Sequence, residues 1–193
     1  MNNTAHLSVR RKRRGRKAKS GRAALLFCLL ALLGFVFVMA RACTKPDPTA
    51  DASRIIAIES KKAVLRGADG KTVHALSEVM TKQLGKPYIY GAAGPDAFDC
   101  SGLVQYVYAS LGIELPRVVR AQAKAGVTIQ KEDLAFGDLV CFSDGSAALT
   151  HIGIYLGDGY FIHAPSTGQC VQLGDLDSEY YSAVFRLAVR VLE

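Results

Sequence analysis

Apolar and polar positions alternate most clearly in the last third of the chain. Thr150–Leu156 and Tyr160–Ala164 read as two strands around Gly157-Asp158-Gly159, a strong hairpin signal. A three-residue loop pairs Tyr155 with Phe161 and Gly153 with His163. It gathers Ile152, Ile154, Leu156, Tyr160, Ile162 and Ala164 on one apolar face. His151 and His163 then share the other face as diagonal neighbours, about 7–8 Å apart at the backbone, and Gly153 leaves space opposite His163. A two-residue loop would put the histidines on opposite faces. Further strands are expected at 138–142, 170–173 and 184–191.

Upstream the period changes. Val73, Leu76, Val79, Met80 and Leu84 recur at helical spacing and predict a helix over Thr72–Leu84, stopped by Gly85. Leu103, Val104, Val107, Tyr108 and Leu111 predict a second over Cys100–Leu111, ending at Gly112. Residues 54–66 fit a short amphipathic helix broken by Gly67-Ala68-Asp69-Gly70, and Lys45–Asp51 reads as an exposed linker. Helices followed by a run of strands indicate an α+β domain with an antiparallel sheet of about five strands. Residues 72–193 suffice for one such core, with 41–71 as a linker holding a short helix.

Charge separates the first residues from the rest. Nine of the 24 basic residues lie in 10–22, and residues 1–22 hold no acid, so without them the net charge falls from +7 to −2. A nucleic-acid-binding domain is not indicated. The basic tail, 1–22, leads straight into 23–40, eighteen residues without a charge. That pairing reads as a cytoplasmic tail before a transmembrane anchor or signal segment, with everything after Arg41 outside the cytoplasm. The expectation is a single-pass bacterial membrane protein. Ala40-Arg41-Ala42 before Cys43 keeps open a secreted form or one lipid-anchored at Cys43.

The candidate chemistry lies in Phe98-Asp99-Cys100-Ser101-Gly102. Cys100 is the first residue of the second helix, behind Asp99 as its N-cap. Unpaired N–H groups and the positive end of the helix dipole favour a thiolate there. A nucleophilic thiol needs a base and a group to orient it, and His151 and His163 fit those two roles. Cys141 and Cys170, in apolar strand surroundings, read as small hydrophobes. Five cysteines, an odd number, do not indicate a disulfide framework. No C-x-x-C or H-E-x-x-H spacing is present, so no metal is expected.

Lys86-Pro87-Tyr88-Ile89-Tyr90-Gly91, Phe98–Val104, Leu115-Pro116-Arg117, Gly137-Asp138-Leu139-Val140, His151–Tyr155 and Phe161–Pro165 occur in one order. In that order they resemble the NlpC family of bacterial cell-wall cysteine peptidases. The resemblance covers about 72–193 and implies a papain-like fold. It implies Cys100 as nucleophile, His151 as base and His163 as the residue fixing the His151 imidazole. Tyr88, Asp99 and Ser101 would meet the substrate, and no cofactor would be needed. The implied partner is peptidoglycan stem peptide, cut between γ-D-glutamate and diaminopimelate or lysine through a thioester. Alternatives are a catalytically silent wall-binding or scaffolding component of an envelope machine, or an amidase or acyltransferase on another substrate. Protein partners are unknown from the sequence.

Overall fold

A computed structural model describes residues 47–60 and 70–192. The order is α1 (Pro48–Ser60), α2 (Gly70–Thr81), α3 (Cys100–Ala109), α4 (Val119–Gln122), β1 (Val127–Ile129), a 3-10 turn at Lys131–Asp133, β2 (Leu139–Phe142), β3 (His151–Gly157), β4 (Tyr160–His163), β5 (Gln172–Asp175), α5 (Glu179–Val184) and β6 (Phe185–Arg190). The strands form one sheet in the order β1-β6-β2-β3-β4-β5, every neighbouring pair antiparallel. The fold is α+β, with six strands rather than the expected five. The extra strand, β1, is only three residues long and largely exposed on the sheet edge, so it carries no alternation to read.

Both faces of the sheet are covered. Leu139, Cys141, Ile152, Ile154, Leu156 and Ile162 join Leu76, Met80, Leu103, Val104 and Val107 of α2 and α3 in the main core. Val140, Phe142, Phe161 and Ala188, on the alternate positions, form a second core with Tyr181 and Val184 of α5. This second core explains why all four residues of β2 are buried. The sequence gives no helical signal for α5: it is six residues long, begun by Ser178, whose hydroxyl accepts from Tyr181 N–H at 3.4 Å.

The hairpin register holds as expected: Tyr155 faces Phe161 and Ile154 faces Ile162. Its turn differs from the expected one. Gly157 pairs with Tyr160 and the register shifts between Tyr155 and Gly157, so a bulge precedes a two-residue turn at Asp158-Gly159. Gly157, Asp158 and Gly159 all have positive φ, which glycine and aspartate tolerate. The bulge absorbs one residue and preserves the face assignment beyond it.

The helix expected over 54–66 begins six residues earlier, at Pro48, inside the stretch read as linker. Proline at the start of a helix lacks only an N–H that has no helical partner there, and Asp47 Oδ1 accepts from Thr49 N–H at 2.9 Å. The helix buries Ile55 and Ile58, and Asp51 Oδ2 accepts from Leu173 N–H at 3.2 Å, fixing α1 to β5. The basic tail, the apolar run 23–40 and Cys43 lie outside the described residues. Among the described residues no helix is long and apolar enough to cross a membrane.

Asp138, within Gly137–Val140, is a structural anchor. Its side chain is almost fully buried and takes two bonds from Arg190, Nε to Oδ1 at 2.8 Å and Nη2 to Oδ2 at 2.7 Å, while Oδ2 also accepts from Ala135 N–H. This locks β6 to the start of β2. Asp138→Ala strands a partly buried guanidinium and is expected to cost about 3 kcal/mol. Urea unfolding checks this: the midpoint should fall with an unchanged slope.

Candidate active site

Cys100 is placed by the start of α3. Asp99 takes the extended N-cap conformation and its Oδ1 accepts from Gly102 N–H at 2.7 Å. Gly102 lets the helix close on the preceding loop: a Cβ there would lie 2.1 Å from the Ala92 carbonyl oxygen. Tyr88 is brought alongside because its segment pairs with Phe98, Ile89 N–H donating to Phe98 O and Phe98 N–H to Pro87 O.

Asp99 does more than cap. Its carboxylate also accepts from Gly91 N–H at 2.9 Å, from Ser101 Oγ at 3.2 Å and from both Arg117 nitrogens, at 3.0 and 2.6 Å. Burial works against the Asp99 charge, but Arg117 and the N–H groups of Gly102 and Gly91 outweigh it and hold the carboxyl below its usual range. Arg117 Nη1 also donates to Ser101 Oγ at 2.9 Å. Arg117 was visible in the Leu-Pro-Arg motif but acquires a role only when the α3–α4 connection folds back over the N-cap.

The thiolate expectation for Cys100 needs correction. Burial and the neighbouring Asp99 charge push the thiol up, while the N–H groups of Ser101, Ile152 and Cys100 itself pull it down; the net shift is upward. A thiol shifted upward in this way favours its protonated form at pH 7, so that nucleophilic chemistry there calls for a base. Cys141 is free, buried and pushed up to about 12 by burial, consistent with inert packing. Cys170 is disulfide-bonded. This differs from the unbonded hydrophobe expected of its apolar surroundings, because an odd cysteine count argues against a framework of several bonds, not against one.

The two histidines meet as their shared face requires. His151 Nε2 and His163 Nδ1 are 2.8 Å apart with the rings near perpendicular. His151 opens β3 and keeps a partly exposed edge, whereas His163 is 1% exposed. Burial lowers His151 to about 4, and burial together with His151 lowers His163 well below its ordinary value, so both rings are neutral at pH 7. Gly153 makes room: a Cβ there would come within 2.6 Å of the Phe161 ring and 3.3 Å of His163 Cβ.

Two depressions adjoin Thr150. One, of about 410 Å³, is lined by Tyr88, Asp99, Cys100, Ser101, Arg117 and Arg120 among others. The second, of about 510 Å³, is lined by Ser143, Asp144, His151, Gln169 and Tyr181 among others. Cys100 thus faces the first and His151 the second, with Thr150 lining both. Of the six residues singled out in the sequence, Tyr88, Asp99, Cys100 and Ser101 line the first depression, His151 lines the second, and His163 lies beneath the surface against His151. Among the described residues no group of three His, Cys, Asp or Glu side chains could hold a metal.

Residues 85–190 match the NlpC/P60 family, and the chain belongs to that family. A "Probable endopeptidase" of Corynebacterium glutamicum is 38% identical over 138 residues, 71% of this chain and 63% of the relative. A gamma-D-glutamyl-L-lysine dipeptidyl-peptidase of Bacillus cereus is 32% identical over 152 residues, 72% of this chain and 46% of the relative. The crystal structure of a lipoprotein-like NLP/P60 protein from Staphylococcus aureus superposes with a TM-score of 0.61 at 37% identity, covering 67% of this chain and 44% of that one. The chain spans less than two thirds of the length of these relatives.

Proposed function

We propose that the protein is a cysteine peptidase that hydrolyses peptidoglycan stem peptides after γ-D-glutamate, before diaminopimelate or lysine. The observation that carries this reading is a thiol at a helix N-terminus lining one cleft, and a histidine lining the cleft on the other side of Thr150 whose far nitrogen is held by a second, buried histidine. Membership of the family and the similarity to a protein named as a gamma-D-glutamyl-L-lysine dipeptidyl-peptidase support the substrate class.

In the proposed mechanism His151 Nδ1 takes the Cys100 proton as sulfur attacks the scissile carbonyl. The tetrahedral oxyanion is stabilised by N–H groups at the start of α3, and the leaving amine takes the proton back from His151. Water activated at His151 then hydrolyses the thioester. Tyr88, Asp99 and Ser101 form the acyl-side wall. Five donors already engage Asp99, so a substrate amine would meet the Tyr88 hydroxyl first, with Asp99 holding Ser101 and Arg117 in place. Arg120 is exposed in the same cleft. A γ-linked D-glutamate leaves its α-carboxylate free, and Arg120 supplies a cation for it.

Membrane anchoring through residues 23–40, with the catalytic domain outside the cytoplasm, is part of the same proposal. The basic tail before an apolar run supports it, as does the Cys170 disulfide, which persists in an oxidising compartment. Cleavage after 40–42 or lipidation at Cys43 would keep the domain on the same side.

The test is mass analysis of defined muropeptides incubated with the full chain in mild detergent. The expected products end in γ-D-glutamate. Cuts only at other bonds would overturn the bond assignment, and intact muropeptides with a folded protein would favour the silent scaffold. Arg120→Glu should raise KM about tenfold with little change in kcat, as expected for a charge contact made equally in ground and transition states.

A further inference from the structure

A proton that the Cys-His-His arrangement leaves unassigned points to Tyr181. The inference rests on the catalytic reading above. For His151 to offer a lone pair to Cys100 from Nδ1, its proton must sit on Nε2 and be donated to His163 Nδ1, 2.8 Å away. His163 is then an acceptor at Nδ1 and, being neutral, carries its own proton on Nε2. That N–H is buried and needs an acceptor. Tyr181 Oη stands 3.4 Å from His163 Nε2.

The phenol is held in place by its ring. Tyr181 packs edge-on against Phe161 at 4.9 Å and His163 at 5.4 Å, and tilted on Phe142 at 5.4 Å. The residue sits on α5, whose N-cap Ser178 is bonded to Tyr181 N–H. None of these contacts requires the hydroxyl. Tyr181 also lines the depression that contains His151, so its own O–H proton can be given to water or substrate there.

We propose that Tyr181 is a positioning residue that sets the tautomer of the histidine pair: as acceptor it holds His163 as the Nε2–H form and His151 as the form able to take a proton from Cys100. The opposite arrangement is inert. If Tyr181 donates to His163 Nε2, His163 must donate from Nδ1 to His151 Nε2, and the His151 proton moves to Nδ1, where no lone pair remains for the thiol. The active arrangement is reached when the Tyr181 proton passes to His163 Nε2, the His163 Nδ1 proton passes to His151 Nε2 and the His151 Nδ1 proton leaves to water, while water in the second depression returns a proton to the Tyr181 oxygen. No net proton is gained or lost and no bond to carbon or sulfur changes; the restored phenol then donates to water or to the departing half of a substrate and keeps a lone pair on His163 Nε2–H.

Tyr181→Phe keeps every ring contact and removes only the hydroxyl. In the full chain, iodoacetamide alkylation of Cys100 followed against pH reads base competence without any substrate. Alkylation at pH 7 is expected to fall about fivefold, the scale of one lost hydrogen bond, with the melting temperature held. Hydrolysis should show the loss in kcat with KM unchanged. A second measurement needs no variant: ring ¹⁵N shifts of the wild-type protein should report His163 protonated on Nε2. A wild-type alkylation profile for Tyr181→Phe, or His163 protonated on Nδ1, overturns the inference while leaving the peptidase reading in place if Cys100→Ala is inactive. Full activity in Cys100→Ala sinks both.

Discussion

Cys100→Ala is expected to lower turnover at least about a thousandfold, the scale on which nucleophile removal leaves only binding and oxyanion stabilisation. The fold should be unaffected. Cys100 sits at the edge of the core with its cap made by Asp99, and the alanine keeps the helix start intact. His151→Ala should cost a similar factor because the thiol is pushed up by burial and by Asp99, so the unassisted thiolate population is small. The double variant should be no worse than either single one, since the pair acts as a unit. His163→Gln should lose less, because an amide oxygen can still accept from His151 Nε2–H. Cys141→Ala is the internal control: a second buried thiol removed with no loss of turnover. Steady-state kinetics on a defined muropeptide, beside melting curves for each variant, separates these outcomes. Turnover by Cys100→Ala near the wild-type rate would falsify the nucleophile assignment.

The second large effect is loss of stability in mild acid. His151 is lowered from 6.5 to about 4 in the folded protein by burial, and His163 is lowered well below 6.5. Between those values the unfolded chain binds protons that the folded one refuses, so stability rises with pH across the window. It is fully present above about pH 6.5 and is lost as pH falls towards 4. Discounting for the partly exposed edge of His151, that residue contributes about 2–3 kcal/mol over the window, and His163 adds to it. Asp99, held below its usual range by Arg117, adds its own loss only at lower pH. Urea unfolding at pH 7 and pH 4.5 measures this. His163→Gln should flatten the dependence, whereas an equally steep curve in that variant would place the acid sensitivity elsewhere.

How much of this was legible in the chain differs element by element. The β3–β4 register could be read because two independent signals, the apolar face and the paired histidines, demand the same parity. The bulge at its turn could not, since a bulge shifts one pair and leaves every other face as it was. The start of α1 was missed because proline is a stop signal inside a helix and a favourable residue at its first position, and local sequence does not say which applies. α5 and β1 are too short to carry a period, and each exists because tertiary partners complete it. The Cys170 disulfide depends on which thiols the fold brings together, which no spacing encodes.

The site divides in the same way. By itself the sequence determined the helix that presents Cys100 and the strand pair that sets His151 above His163, because each follows from local periodicity and capping, and it carries the order of motifs by which the chain resembles its family. Only the tertiary structure decided the state of those groups. Burial beneath the second core keeps both histidines neutral, Asp99 and Arg117 close on each other across the start of α3, and α5 delivers Tyr181 to the far nitrogen of His163. Protonation and hydrogen-bond direction are set by desolvation and by partners remote in sequence, so they arise only when the layers pack.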